Sequence, residues 1–246
     1  MLKHPPYYAA HEPEYVKRLA AGHVAWDAGA YDEFHMRPFV LRMLERSGLP
    51  GESRAALVLG CGTGPLACLL AERGFTVTAL DVSASAITFA RQEAARRLLH
   101  VNFQVCDVCR WTFPAGAFHL IVDDHLLHCL VRREHRRHVL TGIADALAEG
   151  GEFWSEMMAL TPAVEPDPAW HLDADCVTWA RCADDAAYDG VTVVGNTRWL
   201  PIRRIDAPDD LLAEIELAGL TSVEHEIEEP DRAHMPAKLR VRVRGR

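Results

Sequence analysis

Two histidines and an aspartate lie close together in the segment Asp123-Asp124-His125-Leu126-Leu127-His128. Asp124 and His128 are four residues apart and His125 precedes His128 by three, so all three would share one face of a helical turn formed here. An imidazole titrates near neutral pH, which makes His125 the first candidate for a general base and His128 the second. A carboxylate with two imidazoles also suits a divalent transition metal. In a third, structural interpretation, His128 packs against the following helix and Asp124 caps a turn.

A second group of residues suits a ligand that contains a ribose. The glycine-rich run Gly60-Cys61-Gly62-Thr63-Gly64 follows the apolar segment Ala55–Leu59 and precedes a helical stretch from Pro65 to Arg73. Glycines let a backbone approach a ligand without a Cβ clash, and a helix N-terminus offers unpaired N–H groups. Asp81 ends the next predicted strand, where its carboxylate can accept hydrogen bonds from both ribose hydroxyls.

The elements that must position these groups alternate between strand and helix. Short apolar runs predict strands, and 3.6-residue periodicity predicts the helices between them. The predicted strands after residues 55–59 are 75–81, 101–106, 118–122 and 152–160. The predicted helices are 65–73, 84–97 with Ser83 as its N-cap, 132–149 and 208–218. Gly150-Gly151 is the predicted terminator of the helix 132–149. Such alternation predicts an α/β fold, a doubly wound, Rossmann-like sheet that binds ligands at the carboxyl ends of its strands.

Two segments flank or interrupt this alternation. Residues 1–53 are predicted to form an N-terminal helical cap, and residues 54–246 the main domain. Residues 161–206, rich in proline and tryptophan, predict an insertion after the fifth strand that covers the active face, with a small hairpin. Strands at 221–229 and 238–243 complete a predicted seven-stranded sheet whose last strand is antiparallel. Candidate pocket residues in these segments are Trp26, Tyr31, His35, Trp170, His171, Trp179, Arg181, Tyr188, Trp199 and Arg203. Arg181 or Arg203 could hold a substrate carboxylate.

The string from Leu57 to Asp81, with Val105-Cys106-Asp107-Val108 and the segment 118–123, resembles the class I S-adenosylmethionine-dependent methyltransferases over roughly residues 55–160. The resemblance implies the glycines on the methionine and ribose portion of S-adenosylmethionine, Asp81 on the ribose and Asp107 on the adenine amino group. It also implies Asp123 near the methionyl amine. The implied cofactor-binding residues are Gly60, Cys61, Gly62, Gly64, Asp81, Val82, Asp107, Val108 and Asp123.

The sequence departs from two related patterns. A dinucleotide site usually shows G-x-G-x-x-G, whereas Pro65 stands here in place of the third glycine, which disfavours a nicotinamide-dependent oxidoreductase. The resembled family commonly carries an acidic residue two places before its first glycine, and this chain has Val58. Asp123 or a residue of the cap must then meet the ammonium of the cofactor. Val58 also leaves open a module that binds S-adenosylmethionine without catalysis.

Composition limits the partners. The chain has 246 residues, 26 Lys+Arg and 35 Asp+Glu, for a net charge of −9. This balance disfavours nucleic-acid backbones, so the basic clusters at 132–138 and 238–244 are interpreted as solvated surfaces. The longest uncharged run, 55–71, is shorter than the ~20 apolar residues of a membrane-spanning helix. Seven scattered cysteines indicate reduced thiols, and the first residues lack the apolar segment of a secretory signal, which together predict the cytosol.

We therefore expect a methyltransferase that moves a methyl group from S-adenosylmethionine to an oxygen or nitrogen of a small molecule. Methyl transfer from a sulfonium needs in-line approach and removal of a proton from the acceptor. His125, His128 and Asp124 are the predicted catalytic residues. No metal is expected, although the same three residues could bind one, and neither nucleic acid nor a membrane is an expected partner.

Overall fold

The structure is a computed structural model that describes residues 4–24, 26, 29–47, 49, 54–162, 170–183, 185–230 and 234–244. The helices are α1 His11–Ala20, α2 Arg37–Ser47, α3 Pro65–Glu72, α4 Ala84–Arg96, α5 Arg133–Ala146 and α6 Pro208–Leu217. The strands are β1 Ala55–Leu59, β2 Thr76–Asp81, β3 Val101–Val105, β4 Phe118–Asp123, β5 Leu147–Ala159, β6 Trp170–Leu172, β7 Val177–Arg181, β8 Thr192–Val194, β9 Thr197–Arg204, β10 Thr221–Glu228 and β11 Ala237–Arg244. Two short 3₁₀ helices lie at Tyr7–Ala10 and Leu127–Cys129.

Seven strands form one mixed sheet in the order β10-β11-β5-β4-β1-β2-β3. The strands β3, β2, β1, β4 and β5 run parallel, and β11 is antiparallel to both of its neighbours. This arrangement confirms the predicted doubly wound sheet with an antiparallel last strand. Because β1 pairs with β2 on one side and β4 on the other, the strand order reverses at β1. A crevice for a ligand forms at such a reversal.

Both faces of the sheet are covered, which explains why its central strands are continuous apolar runs. Leu57 and Ile121 pack in one cluster with α5 and α6, while Val58 and Val122 pack in a second with α2, α3 and α4. Parallel strands need cover on both faces because their crossovers are helices. None of the helices in the described part of the chain is long and apolar enough to cross a bilayer.

The structure corrects the predicted end of α5. The helix stops at Ala146 instead of Glu149, and β5 begins at once with Leu147. Gly150 and Gly151 therefore lie within β5. A Cβ at Gly151 would stand 2.8 Å from the carbonyl oxygen of Ala148, so the strand can enter the sheet only with glycine there. A glycine pair after a helical pattern predicts a helix terminator. Here the close approach of backbone atoms within the strand is what requires glycine.

The described part of segment 161–206 contains the predicted small hairpin, as β8 and β9, together with two further strands that were not predicted. These four strands make a separate antiparallel sheet in the order β6-β7-β9-β8. Trp179 donates a hydrogen bond from Nε1 to Asp173 Oδ2 at 2.7 Å, inside this small sheet. Trp170 belongs to β6, and its side chain is outside the described part. The insertion thus uses part of its aromatic content for its own packing.

The structure corrects the prediction that both basic clusters are solvated surfaces, because each contains a buried arginine. Arg136 is 1% exposed and donates to Asp206 Oδ2 at 2.8 Å, with Glu214 as a second partner. Arg242 is buried and donates to Glu152 Oε2 at 2.8 Å. The reason is topological: β11 lies between β5 and β10, so it is not an edge strand. A buried cation requires a carboxylate partner, and each of these has one.

Candidate active site

A cavity of about 450 Å³ lies at the carboxyl ends of the parallel strands, where the strand order reverses. Most of the predicted cofactor and catalytic residues line it: Gly60, Cys61, Gly62, Asp81, Val82, Asp107, Val108, Asp124, His125 and His128. Gly64 and Asp123 are not among the lining residues. Gly64 instead lies against α4, because a Cβ there would come within 2.9 Å of Ala90 Cβ.

Asp81 joins the glycine-rich turn to the start of α4. Its Oδ2 accepts a hydrogen bond from the Gly62 N–H and its Oδ1 accepts one from the Ser83 N–H, both at 2.8 Å. Burial raises the pKa of Asp81 above its usual range, and the two amide donors oppose that rise. Each carboxylate oxygen can accept a further hydrogen bond. The side chain is therefore fixed in place and retains acceptor capacity towards the cavity that it lines.

The glycine-rich turn needs glycine because of what stands over it. Gly62 has φ +50°, and a Cβ there would lie 2.5 Å from the hydroxyl of Tyr15 on α1. Gly60 has φ +71°, and its Cβ would lie 2.8 Å from Leu126 Cβ. The turn is thus enclosed between α1 and the loop after β4. Neither side leaves room for a larger residue.

Tyr8, Glu12 and Tyr15 of the N-terminal segment hold α1 across the cavity, and no local sequence pattern marks these side chains as functional. The Tyr8 hydroxyl donates to Asp107 Oδ2 at 2.9 Å, and the Ser85 hydroxyl donates to Glu12 Oε1 at 2.6 Å. Tyr15 packs edge-on against Trp26 with ring centroids 5.2 Å apart. The only sequence signal for this arrangement was the concentration of aromatic residues before β1. That pattern does not say which ring meets which strand end.

Asp123, predicted beside the methionyl amine, is fully buried and has its acceptors in use. Its Oδ1 accepts from the N–H groups of Leu126 and Leu127 at 2.8 and 3.0 Å, and its Oδ2 accepts from the Ser155 hydroxyl at 2.6 Å. Burial raises its pKa to about 6, against these hydrogen bonds. Asp123 therefore shapes the loop that carries the catalytic candidates, and its neighbour Asp124 is the aspartate that lines the cavity.

We expect Asp123→Ala to lower the free energy of unfolding by about 2–4 kcal/mol, because it leaves two buried N–H groups without acceptors. Denaturant unfolding measures this. Ser155→Ala, which removes one donor and leaves the loop amides bonded, is the matched control and should cost about 1 kcal/mol. Equal stability of Asp123→Ala and the wild type would contradict the assigned role.

His125 finds its carboxylate partner in Glu156 of β5, not in Asp124. His125 Nε2 lies 3.2 Å from Glu156 Oε1, and His35 Nδ1 lies 3.3 Å from the same oxygen. Arg240 donates to the other oxygen. Burial alone would raise the pKa of Glu156, but the hydrogen bond from His35 and the charges of His125 and Arg240 lower it to about 2. Glu156 is therefore a fixed anion beside two imidazoles.

The backbone at His125 is strained. Its φ of +64° is the left-handed conformation, which costs a non-glycine residue about 1–3 kcal/mol and concentrates at functional sites. The Asp123 hydrogen bonds to the next two amides hold the loop in this shape. Burial lowers the pKa of His125, and the charge of Glu156 opposes that shift. A neutral imidazole thus faces the cavity with an anion behind it.

His128 is buried at 3% exposure, and its Nδ1 accepts from the Met158 N–H at 3.4 Å. Burial lowers its pKa well below the usual value, with the charge of His125 adding to the effect. The predicted shared helical face does not form, because the 3₁₀ helix covers only Leu127–Cys129 and leaves His125 outside. The metal-competent set in the described chain is His35, His125 and Glu156, whose ligand atoms lie within 4.8 Å of one another.

Glu156 was missed by sequence reasoning, although a signal existed. A carboxylate inside the buried strand Leu147–Ala159 needs a partner, and that need marks it as worth inspection. Of the pocket candidates in the cap and insertion, Trp26, His35 and Arg203 line the cavity. Tyr31 instead donates to the Thr63 carbonyl at 3.0 Å beneath the turn. The remaining described candidates, His171, Trp179, Arg181, Tyr188 and Trp199, are not lining residues.

Comparison with known proteins bears on this site. Residues 56–151 match the family model described as a methyltransferase domain. The chain is 35% identical over 118 residues to the 2-heptyl-1-hydroxyquinolin-4(1H)-one methyltransferase of Mycobacteroides abscessus. The matched region covers 48% of this chain and 50% of that protein. The match thus spans about half the length of this curated relative.

Two solved structures share the fold. The 1,6-didemethyltoxoflavin-N1-methyltransferase of Burkholderia thailandensis, solved with bound 1,6-didemethyltoxoflavin and S-adenosylhomocysteine, has a TM-score of 0.64 at 19% identity and covers 97% of this chain and 88% of its own. The [4+2]-cyclase SpnF has a TM-score of 0.68 at 17% identity and covers 98% and 97%. At these identities the likeness concerns the fold alone, and one fold supports different reactions.

The sheet order and the glycine-rich turn with Asp81 agree with the match of residues 56–151 to the methyltransferase-domain model. Together with the solved neighbours, these features are similar to those of the class I S-adenosylmethionine-dependent methyltransferases. The segment 56–151 that matches this model holds the glycine-rich turn, Asp81, Asp107 and the loop with His125.

Proposed function

We propose that this protein transfers a methyl group from S-adenosylmethionine to an oxygen or nitrogen of a small molecule, with His125 as general base. The observation that carries the proposal is the pair His125–Glu156, 3.2 Å apart, in the cavity that Gly62 and Asp81 also line. Incubation of the purified protein with a metabolite extract and S-adenosylmethionine tests it. A metabolite that gains a methyl group, detected by mass spectrometry, is the expected result.

The residues present suit the cofactor. Asp81 has free acceptor capacity for two ribose hydroxyls, and Asp107 with Val108 offers an acceptor and an apolar wall for adenine. The Tyr8 hydroxyl now on Asp107 must share or leave that carboxylate when adenine binds. Asp124 replaces Asp123 as our candidate for the ammonium group, because Asp124 lines the cavity. When bound, S-adenosylmethionine supplies an electrophilic methyl on a sulfonium.

The chain contributes positioning and proton removal. His125 accepts the proton of the methyl acceptor at Nδ1, because its Nε2 faces Glu156 Oε1 and carries the ring hydrogen, and Glu156 stabilises the imidazolium that forms. His35 and Arg240 hold Glu156 in place. Burial keeps His128 neutral, so it adds no charge to repel the imidazolium. General base catalysis of this kind contributes about 10²–10⁴-fold in rate.

The lining favours an apolar, flat acceptor. Trp26, Phe34 and the two methionines Met157 and Met158 give the cavity apolar walls with few polar anchors. The curated relative is named for 2-heptyl-1-hydroxyquinolin-4(1H)-one and the structural neighbour for 1,6-didemethyltoxoflavin, both of which are ring compounds. We therefore propose a small molecule with a ring system as the substrate class of this protein. Nucleic acid is not a proposed partner. The seven free cysteines support a reducing compartment such as the cytosol.

The pH dependence of the reaction follows from the pKa of His125. The base must be neutral, and burial lowers its pKa from 6.5, so kcat/KM should stay high at neutral pH and fall on an acidic limb centred below 6.5. The charge of Glu156 raises the pKa of His125, so Glu156→Gln should move that limb to lower pH. A pH–rate profile measures both. A limb that moves upward in Glu156→Gln would remove Glu156 from this role.

A metal-assisted reaction is a second candidate, favoured by the convergence of His35, His125 and Glu156 within 4.8 Å. Two imidazoles and one carboxylate are ligands that Zn²⁺, Mn²⁺ or Fe²⁺ accept. An ion there would polarise the acceptor oxygen in place of the base. Elemental analysis of the purified protein separates the two candidates.

A further inference from the structure

Arg203, near the end of β9, is a cation in the cavity with no counter-ion among the described residues. Its side chain lines the cavity, and its Nε atom is buried without a hydrogen-bond partner in the described part of the chain. The next residue, Arg204, lies on the other side of the strand because side chains alternate. Arg204 donates to the Val131 carbonyl at 2.7 Å and lies 3.3 Å from Asp206. Arg204 thus has partners within the fold, whereas Arg203 has no side-chain partner in the part of the chain that the structure describes.

The other charged residues around the cavity already have partners. Asp81 and Asp107 accept from amides or Tyr8, Glu156 is held by Arg240, and Lys238 donates to Glu228 at 2.6 Å. Glu229 accepts from the Thr161 hydroxyl at 2.8 Å. Among the described lining residues, the guanidinium of Arg203 is thus the charge without a partner. Partly burying an unpaired cation is costly, so its retention here indicates a ligand that pairs with it.

Two imidazoles that interact with the charge of Arg203 are themselves neutral. Burial lowers the pKa of His11 to about 4, and the charge of Arg203 lowers it further. The same charge adds to the burial that lowers the pKa of His128. These imidazoles offer no negative charge to the guanidinium. β9 packs against the 3₁₀ helix Leu127–Cys129, so Arg203 lies on the side of the cavity formed by the insertion and the catalytic loop.

We propose that Arg203 is the subsite for a carboxylate of the methyl-acceptor substrate. The proposal rests on the function proposed above and narrows it: the substrate is a small carboxylic acid with a hydroxyl or amine that reaches His125. A guanidinium binds a carboxylate through two parallel hydrogen bonds, which gives both affinity and orientation. S-adenosylmethionine also carries a carboxylate, so the experiment must separate the two sources.

The experiment uses the full chain saturated with S-adenosylhomocysteine, titrated calorimetrically with 4-hydroxybenzoate or with 4-hydroxybenzamide as its neutral counterpart. Wild type should bind the acid at least about 10-fold more tightly than the amide, the preference expected of a charge-assisted pair. Arg203→Met should abolish that preference. Arg181→Met, on β7 of the same small sheet, exposed and stacked on Trp199, should retain it.

Binding of S-adenosylmethionine to Arg203→Met is measured in parallel. An affinity within about 3-fold of wild type supports the substrate as the source of the carboxylate, whereas a loss of 10-fold or more assigns Arg203 to the cofactor and overturns the proposal. Equal binding of acid and amide by wild type, or no measurable binding of the acid, also overturns it. If wild type gives either of these two results but still binds S-adenosylmethionine, the proposal for Arg203 fails and the proposed function is unaffected. Loss of all cofactor binding by wild type would instead refute the proposed function itself.

Discussion

Asp81→Ala should weaken the binding of S-adenosylmethionine by about 100-fold or more. The substitution removes the acceptor that we propose for both ribose hydroxyls and also releases the Gly62 and Ser83 amides that the carboxylate holds at 2.8 Å. Each hydrogen bond to a charged group contributes about 1.5–3 kcal/mol, so the loss of two corresponds to a 10²–10⁴-fold change in affinity. Isothermal titration with S-adenosylmethionine and S-adenosylhomocysteine measures it.

Two comparisons keep this result interpretable. Asp209→Ala removes an exposed carboxylate from the first turn of α6, far along the chain from the turn, and should leave affinity unchanged. Asp81→Asn preserves the size of the side chain and one acceptor oxygen, so it should bind with intermediate affinity. A melting temperature measured for each variant reports whether the glycine-rich turn still folds. Wild-type affinity in Asp81→Ala would exclude Asp81 from the ribose.

His125→Asn should lower kcat by about 10²–10⁴-fold while the affinity for S-adenosylmethionine stays within a few-fold of wild type. Asparagine is chosen because it tolerates the left-handed backbone, φ +64°, that His125 adopts. It can also donate a hydrogen bond to Glu156, so the variant removes the proton acceptor and little else. Single-turnover rates and calorimetry on the same preparation separate chemistry from binding.

The matched control is His171→Ala, which changes an exposed histidine of the insertion that does not line the cavity. It should turn over at the wild-type rate. Treatment with a chelator distinguishes the two candidate roles of the imidazole. If His125 is a general base, activity should be unchanged after chelation. Loss of activity that Zn²⁺ or Mn²⁺ restores would instead show that His35, His125 and Glu156 bind a metal. Wild-type turnover by His125→Asn would remove His125 from the mechanism.

Sequence reasoning predicted the fold well where the signal is local. The run Ala55–Leu59 is apolar throughout because it is covered on both faces, and Ser83 caps α4 through a hydrogen bond from the Ala86 N–H at 3.1 Å. Both features depend on neighbours in the chain. The end of α5 was misplaced because the glycines at 150 and 151 respond to a carbonyl that approaches only in the folded strand.

The residues of the candidate site likewise fall into those that local sequence signals predict and those that depend on the folded structure. The residues at strand ends, Asp81, Asp107 and the loop with His125, could be inferred because parallel strands bring their carboxyl ends to one edge. Which carboxylate would face His125 could not be inferred, since Asp124 is adjacent in sequence and Glu156 lies on the next strand of the sheet.

The sequence by itself determined the α/β class, the glycine-rich turn and the order of acidic residues at strand ends, since periodicity and spacing encode these within short segments. Only the tertiary structure decided that Asp123 supports a loop, that Glu156 pairs with His125 and that Arg203 has no counter-ion among the described residues. Pairings between residues distant in the chain depend on strand register and on which side chains remain unpaired after folding. Neither the register nor the set of unpaired side chains can be predicted from a local pattern of residues.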